Sequence, residues 1–222
     1  MIVRPKLEII AQKNNYFAIN RLANTAIPFP EAQSIYSLDR ELSGVVLLAK
    51  DKETRSILRN VFGSNRAMFS FTLVAKTIST LADEIVCDLP IAQHCQRDFM
   101  VISNRTGKKS STKFRKLEVT KYYTTWSAET YFLRRHQIRL HAHEMGIPIF
   151  GEDTYDQIPV PFLSDFKRHI KLNRKGTPSS LYPSPCIHLS KIDFPWEDKN
   201  VIIQASLAEK WDAMLKIIKK WN

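Results

Sequence analysis

The sequence predicts an α+β domain built on a large mixed or antiparallel sheet. Two observations predict it. Strand-like runs bounded by turn residues fill the first third and the middle of the chain, and helical periodicity is confined to three short segments. The length of 222 residues and an apolar fraction of 44% allow one large domain or two small ones with a sizeable core. No internal repeat or low-complexity tract interrupts the chain.

The elements read in order as follows. Leu7 to Gln12 and Tyr16 to Asn20 form two short strands around the turn residues Asn14 and Asn15. Pro28 and Pro30 mark a loop, and Gly44 to Lys50, GVVLLAK, is a continuous apolar run of strand length. Asp51 caps a helix that places Ile57, Leu58 and Val61 on one face and stops near Gly63. Met68 to Lys76 is a strand with Phe69, Phe71 and Leu73 on one side. DFMVIS, STKFRKLEVTKYY and TTWSAETYFL are strand-like, and the loop between the first two, NRTGKKSS, is basic. HQIRLHAHEMG is a short helix with Gly146 as its stop. Pro159 to Pro185 is irregular and carries the basic run FKRHIKLNRKG. IHLSKIDF alternates as a strand, and SLAE (Ser206 to Glu209) fits a capping box opening a last helix with Trp211, Leu215 and Ile218 on one face.

Composition narrows the function. Thirty-three Lys and Arg against 22 acids give a net charge of +11, which suits a polyanion, nucleic acid being the commonest. No apolar run approaches the roughly 20 residues of a membrane span, and the N-terminal MIVRPKLEII has no signal-peptide core, so the cytoplasm is the expected compartment. The three cysteines, Cys87, Cys95 and Cys186, are odd in number and form no CxxC, so reduced structural thiols are expected rather than disulfides or a zinc site.

The chemistry-bearing stretch is IYSLDRELSGVVLLAK, residues 35–50. It sets one carboxylate, Asp39, on a loop entering a buried strand, where a rigid scaffold can hold a catalytic side chain. Alone, an Asp before a strand is more often a turn or cap residue. Its combination with HQIRLHAHEMGIPIFG a hundred residues later is what singles it out. His136, His141 and His143 on that helix are spaced so that they cannot all converge on one ion, and no metal is expected.

These two segments resemble the RluA-type pseudouridine synthases. YSLDRELSGVVLLAK is similar to that family's HRLDxxTSGLLLxAK, and LRRHQIRLHAHEMGIPIFGEDTYD to its GRTHQIRxHxxxxGxPIxGDxxY. LPIAQ…TGKKSSTKFRKLEV and IHLSKIDFPW resemble two further family segments in the same order, so the likeness runs along nearly the whole chain. The resemblance implies a bent mixed or antiparallel sheet flanked by helices, with a central RNA-binding cleft. It implies chemistry without cofactor or metal; the sequence itself is read as one domain over residues 1–222, with no S4-like domain before it, and a monomer is expected. The implied activity is isomerisation of uridine to pseudouridine in structured RNA, rRNA or tRNA, on a nucleotide flipped out of its stack. Asp39 is the implied catalyst, as nucleophile at C1′ or as the base that generates a glycal. Arg139 is implied to pair with it directly, which accords with the need of a buried aspartate for a cationic partner. Phe69 stands where the family has a tyrosine that stacks on the target base. RNA contacts are expected from Arg40, from Lys108, Lys109 and Lys113 in the central loop, and from Arg134, Arg135 and His136. The later basic run adds Lys167, Arg168, Lys171, Arg174 and Lys175.

The likeness breaks at functional positions. The family's His-Arg is Tyr36-Ser37, its Thr is Leu42, its Tyr is Phe69, and Thr-Gly-Arg-Thr before His136 is Phe132-Leu133-Arg134-Arg135. The usual Lys-Pro-Ala-Gly is Arg21-Leu22-Ala23-Asn24. Two readings follow: a divergent active synthase, and a catalytically inactive RNA-binding protein using the same cleft. A membrane-surface binder has only the net charge in its favour.

Overall fold

Apolar runs between turn residues become the strands of a ten-stranded sheet in the structure, a computed structural model that describes residues 8–162, 164, 180–207 and 209–220. The principal order is β1 (Glu8–Gln12), β2 (Tyr16–Arg21), β4 (Ser43–Ala49), β11 (Ile187–Trp196), β5 (Met68–Lys76), β10 (Tyr123–Thr130), β9 (Thr112–Val119) and β6 (Glu84–Cys87). Two-residue β3 (Gln33–Ser34) adds to β4, and β12 (Lys199–Gln204) adds to β11. All pairings are antiparallel except β4 with β11, which run parallel over His188↔Ser43 and Leu189↔Gly44. A separate ribbon pairs β7 (Ile91–Gln93) with β8 (Met100–Ile102).

The mixed sheet agrees with the predicted α+β class, and every residue of β2 and β4 is buried, as their unbroken apolar runs require. Helix α1 (Lys52–Gly63) packs on β3, β4 and β11. Asp51 caps it, its carboxylate accepting from the Thr54 amide at 2.7 Å and the Thr54 hydroxyl at 2.8 Å. Its buried face is Thr54, Leu58, Val61 and Phe62; Ile57 points outward, because the buried arc lies one residue to the side of the predicted one. Helix α2 (Gln137–Glu144) ends before Gly146, whose φ of +69° completes the predicted stop. Helix α3 (Glu209–Lys220) buries Trp211, Met214 and Ile218, with Leu215 only partly covered. Lys167, Arg168, Lys171, Arg174 and Lys175 lie outside the described residues.

Candidate active site

Asp39 sits on the loop between β3 and β4, where the sheet makes its one parallel junction. The Ser-Gly that follows it builds that junction. Ser43 donates to Nδ1 of His188 at 2.9 Å, while His188 Nε2 faces the Ala205 carbonyl at 3.3 Å. Gly44 has φ +126°, and a Cβ there would lie 2.3 Å from the Leu189 carbonyl oxygen. Only glycine lets β11 approach this closely, so the loop carrying Asp39 is anchored within five residues of the sheet's centre.

The loop is also held from beneath. Arg21, at the end of β2 and only 6% exposed, places Nη2 within 3.2 Å of the Leu38 carbonyl, 2.5 Å of the Asp39 carbonyl and 3.0 Å of the Leu42 carbonyl. Asn24, at φ +60°, donates its amide to the Arg40 carbonyl at 2.8 Å. Both residues belong to the segment that departs from the family's Lys-Pro-Ala-Gly. Asn is among the side chains that tolerate the left-handed region, so Asn24 adopts a backbone that glycine would adopt freely.

The Asp39 side chain is half-buried and faces the start of α2. Its Oδ2 accepts the His136 amide at 3.0 Å, and its Oδ1 has no hydrogen bond among the described residues. Burial pushes its pKa up to about 6, against the opposing pull of the His136 amide and of Arg139. The carboxylate therefore meets a helix N-terminus, where exposed amides and the helix dipole favour negative charge. His136 reaches that position through an αL backbone, φ +53°.

The expected direct ion pair between Asp39 and Arg139 is not formed. Arg139, 2% exposed, is engaged by Glu152, 1% exposed: Nε donates to Oε2 at 2.6 Å and Nη2 to Oε1 at 2.8 Å. Nη2 also donates to Thr154 Oγ1 at 2.6 Å. Glu41 comes no nearer than 3.9 Å to Nη1. Buried Glu152 gives both oxygens to the guanidinium fork, whereas one Asp39 oxygen is held by the His136 amide, which keeps Arg139 as a nearby charge rather than a bonded partner of Asp39. Burial depresses the pKa of Arg139, but Glu152 and the carboxylates of Asp39 and Glu41 more than offset this and hold it above the usual arginine value.

Tyr155 closes the cluster. Its hydroxyl accepts from the Met100 amide at 3.1 Å and lies 2.9 Å from Nδ1 of His136. With that amide as donor, the hydroxyl proton is free to point at Nδ1, an arrangement that favours the neutral imidazole. Burial, with Arg139 and Arg135 nearby, lowers its pKa to about 4 in keeping with this. Burial raises that of Tyr155 to about 12.

Phe69 does not present an open face. It is 1% exposed, with Tyr36 edge-on at 4.9 Å and Phe62 tilted at 5.4 Å between ring centroids. Tyr36 is itself fixed by its hydroxyl on the Val45 carbonyl at 2.9 Å. A base stacking on Phe69 would first have to displace Tyr36, so the expectation that Phe69 lines a cleft is corrected: it is core beneath the loop.

The basic positions fall into distinct groups. Arg40, Lys108 and Lys109 are exposed and make no ion pair among the described residues. Lys113 pairs with Glu84 at 2.9 Å and Arg135 with Asp98 at 2.5 Å. Arg134 is spent on structure, with Nε and Nη2 on the Lys109 carbonyl at 3.1 and 2.8 Å. His141, fully buried, spans Thr112 Oγ1 at 2.8 Å and the Leu89 carbonyl at 2.9 Å, and His143 binds Asp156 at 2.5 Å. The three histidines thus face different partners, and no cluster of metal-binding side chains occurs among the described residues. Nor is any helix among them long and apolar enough to cross a membrane.

The fold joins the anchored aspartate loop to the opposing helix N-terminus, two segments about a hundred residues apart in sequence. A family model described as RNA pseudouridylate synthase matches residues 28–144, and the chain belongs to that family. The ribosomal large subunit pseudouridine synthase D of Haemophilus influenzae is 26% identical over 135 residues, 61% of this chain and 41% of that protein. The dual-specificity RNA pseudouridine synthase RluA of Yersinia pestis is 30% identical over 148 residues, 65% of this chain and 69% of that protein. The first of these alignments takes in less than half of the relative's length. The solved structure of human RNA pseudouridylate synthase domain containing 4 shares the fold, with a TM-score of 0.72 over 95% of this chain and 92% of that one, at 18% identity.

Proposed function

We propose that the protein isomerises uridine to pseudouridine in structured RNA, rRNA or tRNA, with Asp39 as the catalytic residue. The observation that carries this is the Asp39 carboxylate itself: one oxygen bound by the His136 amide at 3.0 Å, the other without a hydrogen bond among the described residues, in a chain of this family. At neutral pH a carboxylate with a pKa near 6 is mostly ionised yet weakly solvated, which suits a nucleophile or base.

The reaction needs no outside reagent. The C1′–N1 bond breaks, the uracil turns while held, C1′ bonds to C5, and N1 gains a proton while C5 loses one. Asp39 acts through its free oxygen, as nucleophile at C1′ or as the base that gives a glycal. Arg139, fixed by Glu152, keeps positive charge beside the carboxylate without neutralising it by a direct bond. The neutral His136 contributes its backbone amide rather than a proton. Arg40, Lys108 and Lys109 meet the RNA phosphates, and binding weakens as salt rises because counterions are released.

Pseudouridine mapping of total RNA from cells with and without the gene tests this reading. A site present only with the gene supports it and identifies the target; identical maps from both cells count against it.

A further inference from the structure

Arg21 is a buried cation whose three contacts are all backbone carbonyls. No carboxylate lies within ion-pair distance of it among the described residues, and its Nε is buried without a partner. A desolvated charge of this kind is costly unless opposite charge is supplied. Beside it lies a pocket of about 280 Å³ lined by Arg21 and Leu38 among others. Its polar lining comprises Arg21, Arg59 from α1, and Ser34, Ser37 and Tyr36 from the loop before Asp39; no acidic residue lines it. Tyr36 has committed its hydroxyl to Val45, whereas no hydrogen bond of the Ser34 or Ser37 hydroxyl occurs among the described residues.

Helix α1 adds an independent sign. Arg55 and Arg59 are four residues apart, so their side chains share one face, where like charges repel. Neither has an ion pair among the described residues, and the acid in the first turn is Glu53, which lies on neither arginine's row. Arg59 at the rim and Arg21 buried beside it, around an acid-free pocket with two hydroxyls, form an arrangement that an anion would stabilise.

We infer that this pocket binds a phosphate group, with Arg59 as the approaching cation, Arg21 as the charge behind it, and Ser34 and Ser37 as hydroxyl donors. The volume exceeds that of a phosphate and accommodates a phosphodiester with its adjoining sugar. The group comes either from the RNA backbone, two residues from Asp39 in the chain, or from a free phosphorylated small molecule. The RNA source rests on the function proposed above; the phosphate chemistry does not.

The full-length protein, Arg59→Gln and Lys52→Gln are compared. Lys52 is an exposed lysine of the same helix outside the pocket, so it controls for net charge. Inorganic phosphate at constant ionic strength is expected to raise the melting temperature of the wild type and of Lys52→Gln, and to leave Arg59→Gln unmoved. In RNA carrying the mapped uridine, neutral methylphosphonates are placed one position at a time. One position is expected to weaken wild-type binding about tenfold and Arg59→Gln not at all, and Arg59→Gln should lower the log–log salt slope by about 0.7, the value for one single-strand phosphate contact. Phosphate protection with no sensitive RNA position assigns the site to a free phosphorylated ligand. No phosphate protection of the wild type together with unchanged RNA binding by Arg59→Gln overturns the site, as does an equal effect of Lys52→Gln. A wild type that binds no RNA yet is protected by phosphate defeats the proposed function and leaves this inference standing.

Discussion

Two buried arginines flank the Asp39 loop, and they are compensated in opposite ways. Arg139 lies on α2 and is gripped by the carboxylate of Glu152 through two hydrogen bonds. Arg21 lies at the end of β2 and is met by carbonyl oxygens alone. The difference separates two tasks. The Arg139 side sets charge near the Asp39 carboxylate and is closed by the buried Glu152. The Arg21 side sets the shape of the loop and has no carboxylate bonded to it, Asp39 and Glu41 opposing its charge only from a distance, with a pocket beside it. The Asp39 carboxylate is bonded to neither guanidinium, and its Oδ1 has no hydrogen bond among the described residues.

The comparison breaks most sharply at Glu152. Glu152→Ala removes the acceptor for Arg139 and also for the amides of Thr154 at 2.9 Å and Tyr155 at 3.2 Å. Stripping one partner from a buried pair costs about 3–5 kcal/mol, so chemical denaturation should show a loss of that size. Arg21→Met keeps the apolar stem and deletes the charge. It should cost less, about 2–3 kcal/mol, since the carbonyls lose a charged donor but the guanidinium's own desolvation cost goes with it. A larger loss at Arg21 than at Glu152 would reverse the assignment of shape to one side and charge to the other.

Phe69→Tyr probes the ground beneath the loop. The ring is enclosed by Tyr36 and Phe62, so an added hydroxyl has no partner there and should destabilise by about 1–3 kcal/mol. Unchanged stability with faster turnover would instead mean that the ring faces the substrate.

Asp39→Asn gives the smallest stability effect, and of opposite sign. The folded pKa near 6 lies above the ordinary 3.8, so between these values the unfolded chain has released a proton that the folded one retains. Native stability from this group is full below about pH 4 and is lost as pH rises through 6. Asn keeps the acceptor for the His136 amide and removes the loss. The variant should match wild type at pH 4 and be more stable at pH 7.5 by about 1 kcal/mol, a value reduced for the partial exposure of the group. Thermal melts at both pH values check it.

Much of the scaffold was legible because local chemistry fixed it. Asp51, Gly146 and the apolar β4 run each specify their own structure within a few residues. The site was legible only in part. Asp39 and His136 stood out by motif, and the fold joins them. The Glu152 partner of Arg139 lay inside the quoted stretch GEDTYD, yet nothing in its spacing says that it, rather than Asp39, takes the guanidinium; that depends on the turn after α2 reversing the chain. Arg21 read as a departure from a family segment, whereas its role depends on loop carbonyls, which leave no mark in sequence. Phe69 matches the family's stacking tyrosine in position, and strand alternation gives its face, but neither shows the Tyr36 ring that covers it. Strands β3, β6, β7 and β12 are short and owe their register to distant partners, so no periodicity announced them.

The central claim is that the Asp39 carboxylate performs the isomerisation. Its most direct test is single-turnover pseudouridine formation by purified wild type and Asp39→Asn on the mapped RNA, followed from pH 5 to 8. The account predicts wild-type rates that rise through pH 6 as Asp39 ionises, and no product from Asp39→Asn despite RNA binding within a few-fold of wild type. Product formed by Asp39→Asn at an appreciable rate, or a wild type that binds the RNA and never converts it, would contradict it.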